Sequence, residues 1–254
     1  MSFQDHRLLA LVAVALLAGC TAAPAAEPAA SSPAVAPSPS PTQLPPADAV
    51  KTALGRLAAS TYTYTVSGDY WAGQKYRASG AHDPKGRKDS RTFTISGGDD
   101  AKTRKVIVIG DDSYENRNGN SFWMHADLTR LKPDSPYRYA DPADPGGLAR
   151  FTAAIHNFRR LSPTLYEGAA RLEPTPSGIT YLPLGAPVFR FKQAPPYVSY
   201  NVTTDARGDI ASIRVVFTGD NGGTIVLTTT YSKIGQPVQI TKPSPVRELS
   251  RLFS

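Results

Sequence analysis

TYTYTVSGDY, residues 61–70, alternates threonine with tyrosine or valine over its first six residues. A period of two is typical of a strand that is buried on one face only. The preceding segment, residues 47–60, has another period, because Val50, Leu54 and Leu57 lie at i, i+4 and i+7. That spacing is typical of a helix. The sequence therefore predicts a helix that leads directly into a half-buried strand.

Further strand-like segments follow in two groups. Turns rich in glycine and aspartate, as in residues 96–100 and 109–112, favour an antiparallel meander in the first group. A second meander is predicted to begin near Arg171, with hairpin turns at residues 205–208 and 221–223. The further strands of the first meander are predicted near residues 74–81, 91–95, 104–109, 113–117 and 121–126.

The middle of the chain has helical spacing. Asp144 is a suitable N-cap and Pro145 a suitable first helical residue. A looser stretch is expected over residues 159–170. The apolar residues at helical spacing after Pro145 are Leu148, Phe151, Ile155 and Phe158.

This order of elements predicts an α+β fold in which helices are segregated against one sheet. A sheet of about 10–11 strands must curl, so we expect a large curved antiparallel sheet, a half-barrel, with helices packed on its concave face. Residues 47–254 are enough for one domain with a sizeable core. A short final helix is expected after Ser244-Pro245, with Val246, Leu249 and Leu252 on one face.

The N-terminus has the features of an export signal. Residues 8–19 form an uncharged run, shorter than the roughly 20 residues of a membrane span. Residues 17–20, Leu-Ala-Gly-Cys, resemble the lipobox of bacterial lipoproteins, whose cysteine takes a diacylglycerol thioether before the chain is cut in front of it. Cys20 is the only cysteine, so no disulfide can form within the chain. We predict a signal peptide over residues 1–19 and export to the outer face of the cell membrane, with Cys20 as the lipid anchor; the alternative is a chance cysteine in an ordinary signal peptide.

The segment that follows Cys20 is a predicted tether, residues 20–46. Residues 21–46 contain eight prolines and one charged residue, Glu27, a composition that cannot bury enough surface to fold. Proline-rich chains favour extended polyproline II at about 3.1 Å per residue, so this tether reaches about 80 Å.

Motifs of catalysis and of metal binding are absent from the sequence. The histidines that follow Cys20, His82, His125 and His156, are far apart, and no nucleophile elbow or phosphate-binding glycine motif occurs. The pairs Asp99-Asp100 and Asp111-Asp112 follow glycine and are interpreted as turns, with acid–base chemistry or Ca²⁺ binding as the alternatives. We expect a protein that is not an enzyme and holds no metal or cofactor.

The net charge of +7 includes a cluster of basic residues. Such a patch suits an anionic partner, and for an exported protein anionic lipid head groups or acidic wall polymers are more plausible than nucleic acid. The alternative is a solvated rim that keeps the protein soluble. Lys102, Arg104 and Lys105 follow the cluster, whose members, the candidates for contact with a head group, are Lys85, Arg87, Lys88 and Arg91.

Aromatic and apolar residues on the predicted strands are candidates for the lining of a lipid cavity. The alternative is an ordinary core between the sheet and the helices. Tyr231 belongs to the same strand pattern. The candidates are Tyr62, Tyr64, Val66, Phe93, Ile95, Phe122, Met124, Tyr200 and Phe217.

The chain resembles the LolA/LppX-like carriers, which include LppX/LprG-type actinobacterial envelope lipoproteins. The resemblance rests on the lipobox and tether, the helix that runs into residues 61–70, the segment VIVIGDDSYENRNGNSFW (106–123) and the C-terminal half with its Asp-x-x-Gly turn and its Gly-x-Pro-Val (235–238). It covers most of residues 48–243, and no single motif in it is diagnostic.

The resemblance implies a half-barrel whose hydrophobic cavity holds acyl chains, with no shared catalytic residue. The implied function is to bind or carry a lipid or lipoglycan. The alternative is a sensor or interaction module for an envelope protein, built on the same scaffold with a filled core.

Overall fold

The structure of the chain is a computed structural model that describes residues 44–70, 73–98, 101–131, 144, 146–172, 180–183, 188–191, 197–218 and 223–248. These residues lie in one compact unit. The predicted signal peptide, Cys20 and nearly all of the tether lie outside them, as do Asp99-Asp100, Leu249 and Leu252. Within the described residues, no helix has both the length and the apolar character that a membrane crossing requires.

Helix α1, Pro46–Ala58, confirms the helix predicted from the apolar spacing. A proline suits the first turn, because the N–H that it lacks would have no partner inside the helix. Asp48 places a negative charge near the positive end of the helix dipole. Val50, Leu54 and Leu57 are buried, so one face of α1 belongs to the core.

The described elements after α1 are mostly strands. In chain order they are β1 (Tyr62–Asp69), β2 (Lys75–Asp83), β3 (Lys88–Ser96), β4 (Lys102–Ile109), β5 (Asp112–Arg117), β6 (Trp123–Asp127), α2 (Leu148–Ala154), β7 (Ile155–Ser162), β8 (Leu165–Arg171), β9 (Thr180–Pro183), β10 (Val188–Phe191), β11 (Tyr197–Thr204), β12 (Ile210–Thr218), β13 (Thr224–Ser232) and β14 (Val246–Glu248). A short 3₁₀ turn, Leu128–Arg130, follows β6.

Twelve of the described strands form one sheet in the order β14-β6-β5-β4-β3-β2-β1-β13-β12-β11-β8-β7, and β9 pairs with β10 in a separate hairpin. Neighbouring strands in the sheet are antiparallel, apart from β14, which runs parallel to β6. The prediction of an α+β fold on one large antiparallel sheet with helices against it is confirmed.

The two faces of the sheet differ in chemistry. On β1, Tyr62, Tyr64 and Val66 are buried, and Thr63 and Thr65 point to the opposite face because side chains alternate along a strand. The tyrosine side packs against both helices, and we call it the helix-covered face; the threonine side is the open face. The core between the sheet and the helices includes Val50, Leu54, Leu57, Leu148, Phe151, Ile213, Val215, Ile225 and Leu227.

Helix α2 confirms the predicted middle helix only in part: it begins at Leu148, later than predicted, and Pro145 lies outside the described residues. The Asp144 carboxylate accepts hydrogen bonds from the N–H groups of Ala149 (3.1 Å) and Arg150 (3.0 Å), so it caps the helix from a position before Gly147. The helix ends at Ala154. Strands β7 and β8 lie where the sequence predicted the second half of the helix and a looser stretch, so both of those predictions are wrong.

A bulge in β7 explains why the sequence was misleading there. Asn157 has a positive φ of 52°, and the pairing of β7 with β8 shifts register between His156 and Arg159. The extra residue of a bulge changes the phase of the strand. Ile155 and Phe158 are therefore both buried although they lie three residues apart, which is the spacing of a helix.

The segment after β13 crosses the open face. This C-terminal strap, residues 233–245, begins beside β1, where the Thr61 hydroxyl donates to the carbonyl of Gln236 (2.7 Å). It ends beside β6, where the N–H of Trp123 donates to the carbonyl of Pro245 (2.9 Å). The strap therefore spans the strands between β1 and β6.

Strand β14 replaces the predicted final helix over Val246–Glu248. The strap has already brought the chain to the edge of the sheet, where β6 offers unpaired backbone groups, and β14 pairs with them. On the way, Ile240 is buried and the Lys242 ammonium lies 5.6 Å from the centre of the Tyr114 ring. The last described residues, Val246–Glu248, are thus held by strand pairing.

Gly80 on β2 is expected to tolerate no side chain. A Cβ there would lie against the Ser90 carbonyl oxygen and the Tyr64 hydroxyl, so Gly80→Ala should lower the free energy of unfolding by about 1–3 kcal/mol. The matched control is Gly55→Ala on α1, where no atom lies within 4 Å, and which should raise it by about 1 kcal/mol. Urea unfolding measures both, and equal stability of the two variants would contradict the packing described for β1 and β2.

Candidate functional site

The structure brings most of the predicted cavity residues together between the sheet and the helices. Tyr62, Tyr64, Val66, Ile95, Tyr200 and Phe217 are buried in one core cluster with α1 and α2, and Phe93 packs against it. The rings of Phe151 on α2 and Tyr200 on β11 are 4.5 Å apart. Helix side chains fill this part of the helix-covered face.

Phe122 and Met124 are not brought into that cluster. Both are half-buried. Met124 lies on β6 opposite Glu115, and the guanidinium of Arg247 lies 4.0 Å from the centre of the Phe122 ring. These two residues therefore lie several strands away from the tyrosines of β1.

A buried polar group lies inside the apolar core. We call it the tyrosine cluster: Tyr62, Tyr64 and Tyr231 together with His82 and Asp89, all at most 8% exposed. The ring of Tyr62 lies 5.0 Å from that of His82 and 5.5 Å from that of Tyr231. His82 Nδ1 is 3.5 Å from the Asp89 carboxylate, which is long for a hydrogen bond.

The hydroxyls of the tyrosine cluster have no hydrogen-bond partner among the described residues: those of Tyr62, Tyr64 and Tyr231 are all unpaired. Burial raises the pKa of each of these tyrosines well above its ordinary value. They therefore stay protonated and can donate. A buried hydroxyl without a partner costs about 1–3 kcal/mol, so the cluster holds three donors that no described acceptor satisfies.

The basic candidates do not form one rim. Lys85 and Arg87 lie in the turn between β2 and β3, and Lys88 begins β3. The Arg87 guanidinium contacts the Asp111 carboxylate at 2.7 Å. Arg91 is 5% exposed and lies on the helix-covered face, so its assignment to an exposed rim is wrong. The alternation of β3 explains the error, because Arg91 has the same phase as the buried Asp89.

A second buried carboxylate lies farther along the sheet. Glu115 on β5 accepts hydrogen bonds from Arg117 Nε (2.9 Å) and Nη2 (3.1 Å), and its carboxylate lies 3.4 Å from Arg104 Nη1. Arg104, part of the basic sequence pattern, is thus engaged within the protein. The charge available to an outside partner is smaller than the sequence suggests.

His125 joins the edge of the sheet to β14. Its Nε2 lies 2.7 Å from the carboxylate of Asp112 on β5, and its Nδ1 lies 2.8 Å from that of Glu248 on β14. The His125 ring stacks on Tyr114 with centres 5.0 Å apart. The two carboxylates lie on opposite sides of the ring, so the three side chains do not converge on a metal ion.

No group of three or more potential metal ligands occurs in the part of the chain that the structure describes. Asp111 lies in the turn before β5, as interpreted from the sequence. Asp112 begins β5 and contacts His125, a role that the sequence analysis missed.

The position of the turn between β2 and β3 could have revealed one contact of the site from the sequence. His82 and Asp89 are equally distant from the turn at residues 84–87 and are direct partners across β2 and β3. The contact between His125 and Glu248 had no such signal, because 123 residues separate them and the strap lies between.

No family model matches the chain, and no curated protein matches it. Solved structures that are similar to it include an uncharacterized conserved protein from Thermus thermophilus, with 10% identity over 79% of this chain and 97% of that one at a TM-score of 0.42. The LolA superfamily protein NE2245 from Nitrosomonas europaea has 11% identity over 76% of this chain and 97% of that one at a TM-score of 0.28. The MucA/MucB complex of Pseudomonas aeruginosa has 9% identity over 81% of this chain and 59% of that one at a TM-score of 0.30.

The structural neighbours thus include a LolA superfamily protein. With identities and TM-scores this low, the likeness carries no inference about ligand or activity. The LppX/LprG type and an actinobacterial origin stay predictions.

His125 is expected to make stability fall as the pH rises. Burial lowers its pKa, but hydrogen bonds to Asp112 and Glu248 and their negative charges outweigh this effect and raise the pKa above 6.5. Because the folded-state pKa is raised, the stabilisation is fully present below the ordinary value and is lost as the pH rises through the folded value. In the surroundings of His125, Asp127 adds a negative charge and Lys242 adds a positive one.

Thermal unfolding at about pH 6 and about pH 9 measures this effect. His125→Gln should reduce the fall in melting temperature, whereas His156→Gln, an exposed control, should not change it. In an NMR titration, Glu248→Gln should move the pKa of His125 down. A His125 titration that Glu248→Gln leaves unchanged would contradict the contact with β14.

Proposed function

We propose that the protein is an exported, non-enzymatic binding protein of the LppX/LprG type, anchored to the outer face of an actinobacterial cell membrane through Cys20. Its ligand is a lipid or lipoglycan, held between the sheet and the helices. The observation that carries this proposal is the set of unpaired, buried hydroxyls of Tyr62, Tyr64 and Tyr231 within a large apolar core.

An amphiphilic ligand matches both parts of this compartment, which are the apolar core between the sheet and the helices and the tyrosine cluster within it. Acyl chains would replace contacts with the apolar residues of β11–β13, at about 25 cal/mol for each Å² of apolar surface removed from water. Ester or sugar oxygens of the same ligand would accept hydrogen bonds from the tyrosine hydroxyls, which have no other described acceptor.

Entry of a ligand requires that α1 move away from the sheet. The contacts at its C-terminal end are exposed: Arg56 Nε donates to the Asp209 carboxylate at 3.0 Å, and Arg56 Nη2 donates to the carbonyl of Gly208 at 2.6 Å. Exposed ion pairs contribute only about 0–1 kcal/mol. These polar contacts at the end of α1 are therefore weak, and the burial of Leu54 and Leu57 supplies most of what holds it.

The second candidate function is an interaction or sensor module for an envelope protein, with a filled core. The complete burial of Val50 and Leu54 of α1, Tyr62 of β1 and Phe151 of α2, each at 0% exposure, favours it. In this case the helices are permanent parts of the core and no lipid is bound. Lipid retention separates the two candidates.

Tyr62→Phe is expected to have opposite effects on stability and on binding. The variant removes a buried unpaired hydroxyl, so the ligand-free protein should be more stable by about 1 kcal/mol. The loss of one hydrogen bond to a ligand should lower lipid retention about fivefold. Urea unfolding of delipidated protein measures the first effect. Native mass spectrometry of the full chain, purified in detergent from an actinobacterial host, measures the second.

Tyr197→Phe is the matched control, because Tyr197 is 53% exposed on β11, and it should change neither quantity. A wild-type protein that carries no extractable lipid and takes up none from phospholipid vesicles would overturn the carrier proposal and favour the interaction module. Lipid retention that is equal in the wild type and Tyr62→Phe would show that the tyrosine cluster is not where the ligand binds.

Cys20→Ser is expected to abolish the membrane anchor. The variant cannot form the thioether, so labelled palmitate should not be incorporated and cleavage before residue 20 should fail. Metabolic labelling and fractionation of the host cells measure this. Unchanged labelling of the variant would rule out Cys20 as the attachment site.

A further inference from the structure

The open face of the sheet contains a groove that the proposed lipid function does not use. Its volume is about 620 Å³, within the range of about 300–1,000 Å³ of small-molecule sites. The strap begins at its border with Lys233, and Trp123, which pairs with the end of the strap, also borders it. Tyr64, Gly80, Arg91 and Val106, which have the phase of the helix-covered face, also border the groove. The described lining residues with the phase of the open face are Thr63, Thr65, Ser79, Ser90, Thr92, Lys105, Ile107, Trp123, Ser232 and Lys233.

Hydroxyl side chains dominate this lining. The pairing register places them side by side on the open face, with Thr65 opposite Ser79 and Ser79 opposite Thr92. Thr63 Oγ1 and Ser232 Oγ lie 2.8 Å apart and are hydrogen-bonded. No side-chain hydrogen bond is found among the described residues for the others, Thr65, Ser79, Ser90 and Thr92. Their hydroxyls can donate to and accept from a ligand.

The charge in the groove has one sign. Lys105 and Lys233 line it, both are exposed, and neither makes an ion pair within the described residues. No acidic residue occurs among the described lining residues. A concave surface lined by one sign of charge attracts ligands of the opposite charge.

Lys233 is also held in an unusual backbone conformation. Its φ is 53°, in the left-handed region that lysine rarely adopts. The turn is fixed by the hydrogen bond from the N–H of Gly235 to the carbonyl of Thr61, at 2.8 Å. The backbone thus places the Lys233 side chain at the groove, where asparagine or glycine would fit the turn with less strain.

Trp123 supplies the apolar surface. It is half-buried and lines the groove together with Lys105 and Ile107, from which strand β5 separates it. The flat face of an indole can pack against the C–H face of a sugar ring, while its neighbours bind hydroxyl and acidic groups.

We propose that this groove binds an anionic carbohydrate, an oligosaccharide that bears carboxylate or phosphate groups. Hydroxyl side chains match sugar hydroxyls, the two lysines match the acidic groups, and Trp123 packs on a ring. An acyl chain does not fit the chemistry of this lining, because polar side chains would lose water without gaining partners. The site is independent of what occupies the compartment between the sheet and the helices.

The test is isothermal titration calorimetry of the full chain, in detergent, with tetragalacturonate as the anionic probe and maltotetraose as the neutral one. Tetragalacturonate should bind and maltotetraose should bind more weakly, and added salt should reduce the difference. Lys105→Ala and Lys233→Asn should each weaken binding of tetragalacturonate about threefold. Trp123→Phe should weaken binding of both sugars.

Two controls keep the result specific. Lys85→Ala removes an exposed charge outside the groove and should leave binding unchanged. Lys233→Asn keeps a residue that tolerates the backbone, so its melting temperature should not fall. In a Trp71→Phe background the sugar should change the fluorescence of Trp123, the remaining tryptophan.

No binding of tetragalacturonate would overturn the proposal, as would binding that neither lysine variant weakens. Equal binding of a single-stranded oligonucleotide of the same charge would also overturn it, because the groove would then recognise charge alone.

Discussion

The pairing of β1 on both of its edges is the constraint on which the rest of the structure depends. One edge pairs with β2, the next strand in sequence, and the other pairs with β13, where Tyr64 lies opposite Tyr231. This second pairing joins the two meanders into one sheet. A slip of one residue would exchange the faces of the strand: Tyr62 and Tyr64 would meet water, and Thr63 and Thr65 would enter the core.

The same strand therefore supplies two sites of opposite character. Its tyrosines are buried between the sheet and the helices, where an unpaired hydroxyl is costly and hydrogen bonds are strong. Its threonines lie in a groove open to water, where affinity requires several weak polar contacts together with Lys105 and Trp123. A single layer of backbone separates these two chemistries.

Helices and strands can be predicted from the sequence where one hydrophobic period dominates a segment. The prediction fails where pairing between strands determines the structure. α1 and β1 follow from local spacing alone. The bulge at Asn157 gives strand β7 the spacing of a helix. Strand β14 depends on an edge that the strap reaches from a distance. Most of the predicted apolar candidates are buried together, because alternation is local. The contacts of His82 with Asp89, of Glu115 with Arg104 and of His125 with Asp112, like the hydroxyl groove, come from register between strands.

The two edges of the sheet that the described strands form differ from its centre in a way that bears on the association of copies. An open edge invites a strand from another chain, and extended assemblies grow by such addition. In this sheet β7 ends one side with a bulge and with Arg159 and Arg160, and β14 ends the other with three residues that include Arg247 and Glu248. Irregular backbone and charge at both of these ends oppose the addition of further strands, so copies of the chain that come close together would stay separate.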